Sequence, residues 1–191
     1  MRRLGLLKAE RGDLDGARQA LETAAEDGDV ESMIHLGQLN RRLLGADNQQ
    51  KALHWFRAAA EQGHPVAALF TGMVQAELGQ FDGDDGAEVW WQRAHDRGIP
   101  EAARLVGNLN AERGDAADAE RWWRIGTEQG DAAAALNIGL LRAQNGDSWP
   151  QDAGPDSAEE WWQRAYELGS SRAACELGRR RIETGILDGA D

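Results

Sequence analysis

AEEWWQRAYELGSSRAACELG, residues 158–178, holds the plan of the whole chain. Ala158, Trp161, Trp162 and Ala165 stand at offsets 0, 3, 4 and 7, one stripe of a 3.6-residue helical period. Gly169 follows, and a glycine, which reaches positive φ without a Cβ clash, suits the residue just past a helix end. Ala173 and Ala174 open a second helix, whose apolar face Leu177 and Gly178 complete. The small residues Ala158, Ala165 and Gly178 let two helix axes approach, while the two indoles fill the space beside them.

The same skeleton, an alanine, a glycine 11 residues later and another 9 after that, occurs five times. The sets are Ala17–Gly28–Gly37, Ala52–Gly63–Gly72, Ala87–Gly98–Gly107, Ala119–Gly130–Gly139 and Ala158–Gly169–Gly178. The step from the second glycine to the next alanine varies between 12 and 19 residues, so a fixed half alternates with an elastic one at a period of 32 to 39. That is the mark of stacked helical hairpins. It predicts an all-α solenoid of about eleven helices and no strand. Residues 1–191 form a single repeat domain of about five hairpins plus a C-terminal capping helix. The stripe recurs as Ala52–Trp55–Phe56–Ala59, Ala87–Trp90–Trp91–Ala94 and Ala119–Trp122–Trp123–Gly126, and without aromatics as Ala17–Ala20–Leu21–Ala24. Seven of the eight tryptophans thus share one role in the core rather than forming an aromatic ladder for ligands, and Trp55, Trp90, Trp122 and Trp161 are expected to be largely buried.

Composition excludes several functions. A net charge of −12 argues against sequence-independent nucleic-acid binding, which needs a basic face. No run of 18 apolar residues offers a membrane span. The lone Cys175 suits a reducing, cytoplasmic compartment and reads as a small core residue beside Ala173 and Ala174. His35, His54, His64 and His95 fall at unrelated places in the repeat, so no metal site or other cofactor is expected. Asp82–Gly83–Asp84–Asp85–Gly86 lacks the sixth-position glycine and twelfth-position glutamate of a calcium loop and reads as a turn. Gly12–Gly16 and Gly114–Asp118 are turns whose aspartates can cap the next helix. With no phosphate loop, nucleophile elbow or carboxylate pair, no enzyme is expected.

ALHWFRAAAEQGHPVAALFTG, residues 52–72, with its four companions, resembles the Sel-one-like repeat (SLR), a relative of the tetratricopeptide repeat (TPR). The resemblance covers nearly the whole chain. Two departures stand out. The connections after Gly5 and Gly107 have the 12-residue length of a TPR, and the tyrosine often found three residues after the glycine is replaced by Asn40, Gln75, Asn110, Arg142 and Arg181. The resemblance implies a right-handed superhelix that serves as a scaffold for protein–protein interaction, usually without catalysis. At the C-terminus, truncation and a natural cap both account for the ending. Arg180, where Leu7, Leu39, Leu109 and Leu141 stand in other copies, favours the cap.

In superhelices of this kind the first helix of each hairpin lines the concave surface. Positions three before, one after and four after the second glycine share the face opposite the buried stripe. Candidate partner-binding residues there are Gln38, Arg41, Leu69, Met73, Arg104, Asn108, Leu136, Leu140 and Arg179. Arg104 with Asn108 is similar in placement to part of the carboxylate clamp of some TPR domains, and Arg41, Arg104 and Asn108 are expected to meet partner carboxylates. Trp149, in the longest connection and outside the repeat register, either shields a hairpin junction or anchors a partner. The expected function is a monomeric, non-catalytic scaffold that binds a protein or peptide segment in this groove. Alternatives are an acidic inhibitor or immunity-type protein covering a basic enzyme, and a regulatory module of a larger enzyme.

Overall fold

The structure, a computed structural model, describes residues 1–43, 45–145 and 157–183. Among them are eleven α-helices and no strand. The chain forms two compact units, Met1–Ile99 and Pro100–Asp191. The first holds α1 (Arg2–Glu10), α2 (Leu14–Glu26), α3 (Val30–Arg42), α4 (Ala46–Glu61), α5 (Pro65–Glu77) and α6 (Ala87–Asp96). The second holds α7 (Pro100–Glu112), α8 (Ala116–Glu128), α9 (Ala132–Asn145), α10 (Ala158–Glu167) and α11 (Ser171–Glu183). Within each unit, consecutive helices pack against one another, giving the expected stack of hairpins.

Each hairpin is punctuated by local chemistry. Asp13, Asp29 and Asp115 accept a backbone N–H in the first turn of α2, α3 and α8, and Ser157 with Glu160 closes a capping box on α10. Such a cap contributes about 1 kcal/mol. The first glycine of each repeat is required by backbone geometry. Gly28, Gly63, Gly98, Gly130 and Gly169 take φ of 88°, 88°, 84°, 94° and 100°, where a Cβ is strained. The Asp82–Gly86 turn is hung on its neighbours by Asp85. Its backbone carbonyl accepts from Gln75 Nε2 at 2.7 Å, and its carboxylate accepts from Trp90 Nε1 at 2.8 Å and pairs with Arg57.

The second glycine has a different cause. A Cβ on Gly37 would lie 2.5 Å from the ring of Phe56, and one on Gly72 or Gly107 would lie 2.5 Å from the indole of Trp91 or Trp123. Trp162 crowds Gly139 in the same way, and Leu21 takes the place of the ring over Gly5. The ring against the bare helix is always the second of the aromatic pair, and Phe56, Trp91, Trp123 and Trp162 are all buried.

The expectation for the first aromatic holds at two positions of four. Trp90 and Trp161 are buried, but Trp55 and Trp122 are only half-buried. A residue one step earlier lies about 100° round the helix, at the margin of the stripe, so its burial depends on polar neighbours. Arg93 lies over Trp90 at 4.6 Å, and Arg124 and Arg164 lie over Trp161 at 5.0 and 5.1 Å. Trp55 meets the edge of His54.

Cys175 also departs from expectation: it is exposed, not core. Among the described residues α11 is covered on its α10 side, where Ala173 is buried. Ala174 and Cys175 face outward, and nothing lies within 4 Å of a Cβ built on Gly178.

This contrast sets a direct comparison. Gly107→Ala should cost about 1–3 kcal/mol, because the Trp123 ring must shift. Gly178→Ala meets open space and should be neutral or stabilise by up to about 1 kcal/mol through helix propensity. Denaturant unfolding of the two variants checks both.

A second prediction concerns acid. Hydrogen bonds from the Ser32 hydroxyl and, more weakly, its backbone N–H hold the Asp29 carboxyl below its ordinary value of 3.8, with the Arg2 charge adding to the effect and burial opposing it. A pKa lowered by folding gives stability that is present above the unfolded value and lost as pH falls through the folded one. Asp29→Ala should therefore cost about 1 kcal/mol at neutral pH, and its gap from the parent should close as pH falls below 3.8.

Candidate functional site

The odd-numbered helices carry every candidate except Trp149, which lies outside the described residues. In the second unit the polar candidates are occupied by their own neighbours. Arg104 Nε donates to Asp131 Oδ2 at 2.8 Å, and the Asp131 carboxylate also accepts the backbone N–H groups of Ala133 and Ala134 at the start of α9. Asn108 Oδ1 accepts from Trp123 Nε1 at 3.0 Å and from Asn137 Nδ2 at 2.8 Å, tying α7 to α8 and α9. Met73 and Leu140 occupy the same register beside Trp91 and Trp162. They offer no oxygen, and the Nε1 atoms of those indoles are buried without a partner. Leu69 and Leu136 are buried in the cores of their units rather than lying on an exposed face. Arg179 is exposed and paired with Glu176.

Four of the five positions where the family resemblance places tyrosine are internal as well, while the fifth, Arg181, is exposed. Asn40, Gln75, Asn110 and Arg142 are all buried. Asn40 Nδ2 and Asn110 Nδ2 donate to the carbonyls of Leu36 and Val106 within their own helices. Arg142 pairs at 2.7 Å with Glu120, which Arg124 also meets at 2.7 Å. A buried carboxylate shared by two guanidiniums holds α8 to α9 and is costly to break.

The first unit differs. Between α1, α2, α3 and α5 lies a cavity of about 600 Å³. Its apolar floor and walls are Leu6, Ala9, Leu21, Leu39 and Phe70. Phe70 stacks on Phe56 at 5.0 Å between centroids, and Phe56 lies against Gly37, so the ring-on-glycine contact backs one wall. The polar lining is His35, Gln38, Arg41 and Arg42, with no carboxylate among the described residues. Arg41 is held by Glu77 through two hydrogen bonds of 3.0 and 2.6 Å. Arg42 is exposed and has no ion-pair partner among the described residues.

Sequence reasoning found Gln38 and Arg41 here and missed His35, Leu39, Arg42 and Phe70. Those four sit two before, two after or five after the glycine, about a quarter turn from the face considered. Phe70 was the available signal, an aromatic outside the buried stripe.

No family model and no curated protein matches the sequence. Solved structures do match the fold. One is c5321, a protective antigen present in uropathogenic Escherichia coli strains and displaying an SLR fold (TM-score 0.69, 22% identity, 95% of this chain covered). The alignment spans 41% of the c5321 chain. A Sel1 repeat protein from Oxalobacter formigenes matches with TM-score 0.68 and 21% identity over 94% of this chain and 74% of its own. YrrB, a TPR protein with an unusual peptide-binding site, matches with TM-score 0.59 and 20% identity over 93% of this chain and 90% of its own. The fold is that of the helical SLR and TPR repeat proteins.

Replacing Asn108 by Leu should cost about 1–3 kcal/mol, since it leaves Asn137 Nδ2 short of an acceptor and Trp123 Nε1 with only its 3.3 Å hydrogen bond to the Arg104 carbonyl. In a Trp123→Phe background part of that cost should vanish, a coupling that a double-mutant cycle by denaturant unfolding measures.

Proposed function

We propose that this chain is a non-catalytic interaction scaffold that holds a peptide or protein segment against its odd-numbered helices. One observation carries the reading: the first unit has an apolar cavity of about 600 Å³ rimmed by hydrogen-bond donors and an amide. Concave apolar surface with a few convergent polar groups is the usual form of a binding site. The likeness to YrrB supports the reading at the level of fold alone. Among the described residues no helix is long and apolar enough to cross a membrane, and an exposed free thiol at Cys175 suits a reducing, cytoplasmic setting.

Selection of a displayed random-peptide library on the immobilised full chain tests the proposal. Enriched peptides should bind with Kd near the micromolar range, about −8 kcal/mol, and photo-crosslinks from them should map to odd-numbered helices. Failure to enrich any peptide, or crosslinks confined to even-numbered helices, would contradict it.

A further inference from the structure

Resting on the scaffold reading, we infer that the cavity of the first unit takes an acidic peptide segment in which a bulky apolar side chain adjoins a carboxylate. His35, Leu39 and Arg42 stand at i, i+4 and i+7 on α3, so they form one stripe along the cavity. Leu39, with Leu6, Leu21 and Phe70, offers an apolar seat for an aliphatic or aromatic anchor. Arg42 lies three residues further along the helix, about 4.5 Å of rise. An extended peptide covers that distance in one or two residues, so a carboxylate next to the anchor, or one position removed, meets the guanidinium.

The charge pattern selects the partner. The chain carries a net charge of −12, yet the polar lining of this cavity is two arginines, a histidine and an amide. Arg41 is neutralised and held in place by Glu77. Among the described residues Arg42 has no partner for its donors, and a carboxylate satisfies a guanidinium with charge-assisted, two-pronged hydrogen bonds. A basic segment finds no counter-charge in the lining. A nucleic acid would need a broad basic surface that so acidic a chain does not supply.

Fluorescence anisotropy on the full chain tests this with four labelled, acetylated and amidated peptides built around one apolar anchor. The first carries glutamate beside the anchor, the second glutamine, the third lysine, and the fourth keeps glutamate but replaces the anchor by alanine. The first should bind about tenfold or more tighter than each of the others, and its affinity should fall as salt rises. Arg42→Glu should remove that preference, and Leu39→Asp should weaken binding through the anchor. Arg42→Lys should keep most of the preference, and Arg42→Gln replaces Arg42→Glu if circular dichroism shows that the reversal unfolds the helix.

Equal binding of the glutamate, glutamine and lysine peptides, or affinity unmoved by Arg42→Glu, would overturn the inference. Library peptides that bind the chain but ignore Arg42→Glu would overturn it while leaving the scaffold reading intact. The absence of any library hit would remove both.

Discussion

An aromatic ring packed against a glycine on the facing helix is the contact on which the rest of the structure depends. Four hairpins use it, with Phe56, Trp91, Trp123 and Trp162 lying where a Cβ on Gly37, Gly72, Gly107 and Gly139 would be. A ring of this size buries on the order of 150–250 Å². At about 25 cal/mol per Å², that is roughly 4–6 kcal/mol as an upper estimate. A helix cap contributes about 1 kcal/mol, so the rings decide helix spacing and the caps decide where helices begin. The alanines flanking Phe56 and Trp91, namely Ala52, Ala59, Ala87 and Ala94, have no exposed surface, because the axes come too close for anything larger.

The same contact shapes the surface. In the first unit Phe56 on Gly37 supports Phe70, and Phe70 forms a wall of the cavity. In the second unit the register position beside Trp123 holds Asn108, which accepts from the indole of Trp123 and the amide of Asn137. One packing scheme thus produces an open site in one unit and a closed polar network in the other.

The architecture was legible because two glycines at fixed spacing answer to two separate constraints. One reaches a φ that other residues avoid, and the other makes room for a ring. Neither varies with context, so both survive in the sequence as intervals of 11 and 9. Which ring of each pair goes deeper was not legible, since adjacent residues lie about 100° apart on a helix and both fall inside a wide apolar stripe. The fate of Cys175 depended on whether a further helix covers α11, which its own helix cannot reveal. Gln38 and Arg41 were placed at the site from their face alone. His35, Leu39 and Arg42 were not, because the cavity exists only once α1 and α5 stand beside α3.

Hydrogen exchange of the indole N–H groups, followed by NMR, tests the ring-on-glycine contact most directly. The N–H groups of Trp91, Trp123 and Trp162 should exchange slowly, opening only with the hairpins that bury them. That of Trp55, half-buried at the margin of its stripe, should exchange far faster. Fast exchange at Trp91 and Trp162 with protection at Trp55 would mean that the first ring of each pair, not the second, faces the glycine.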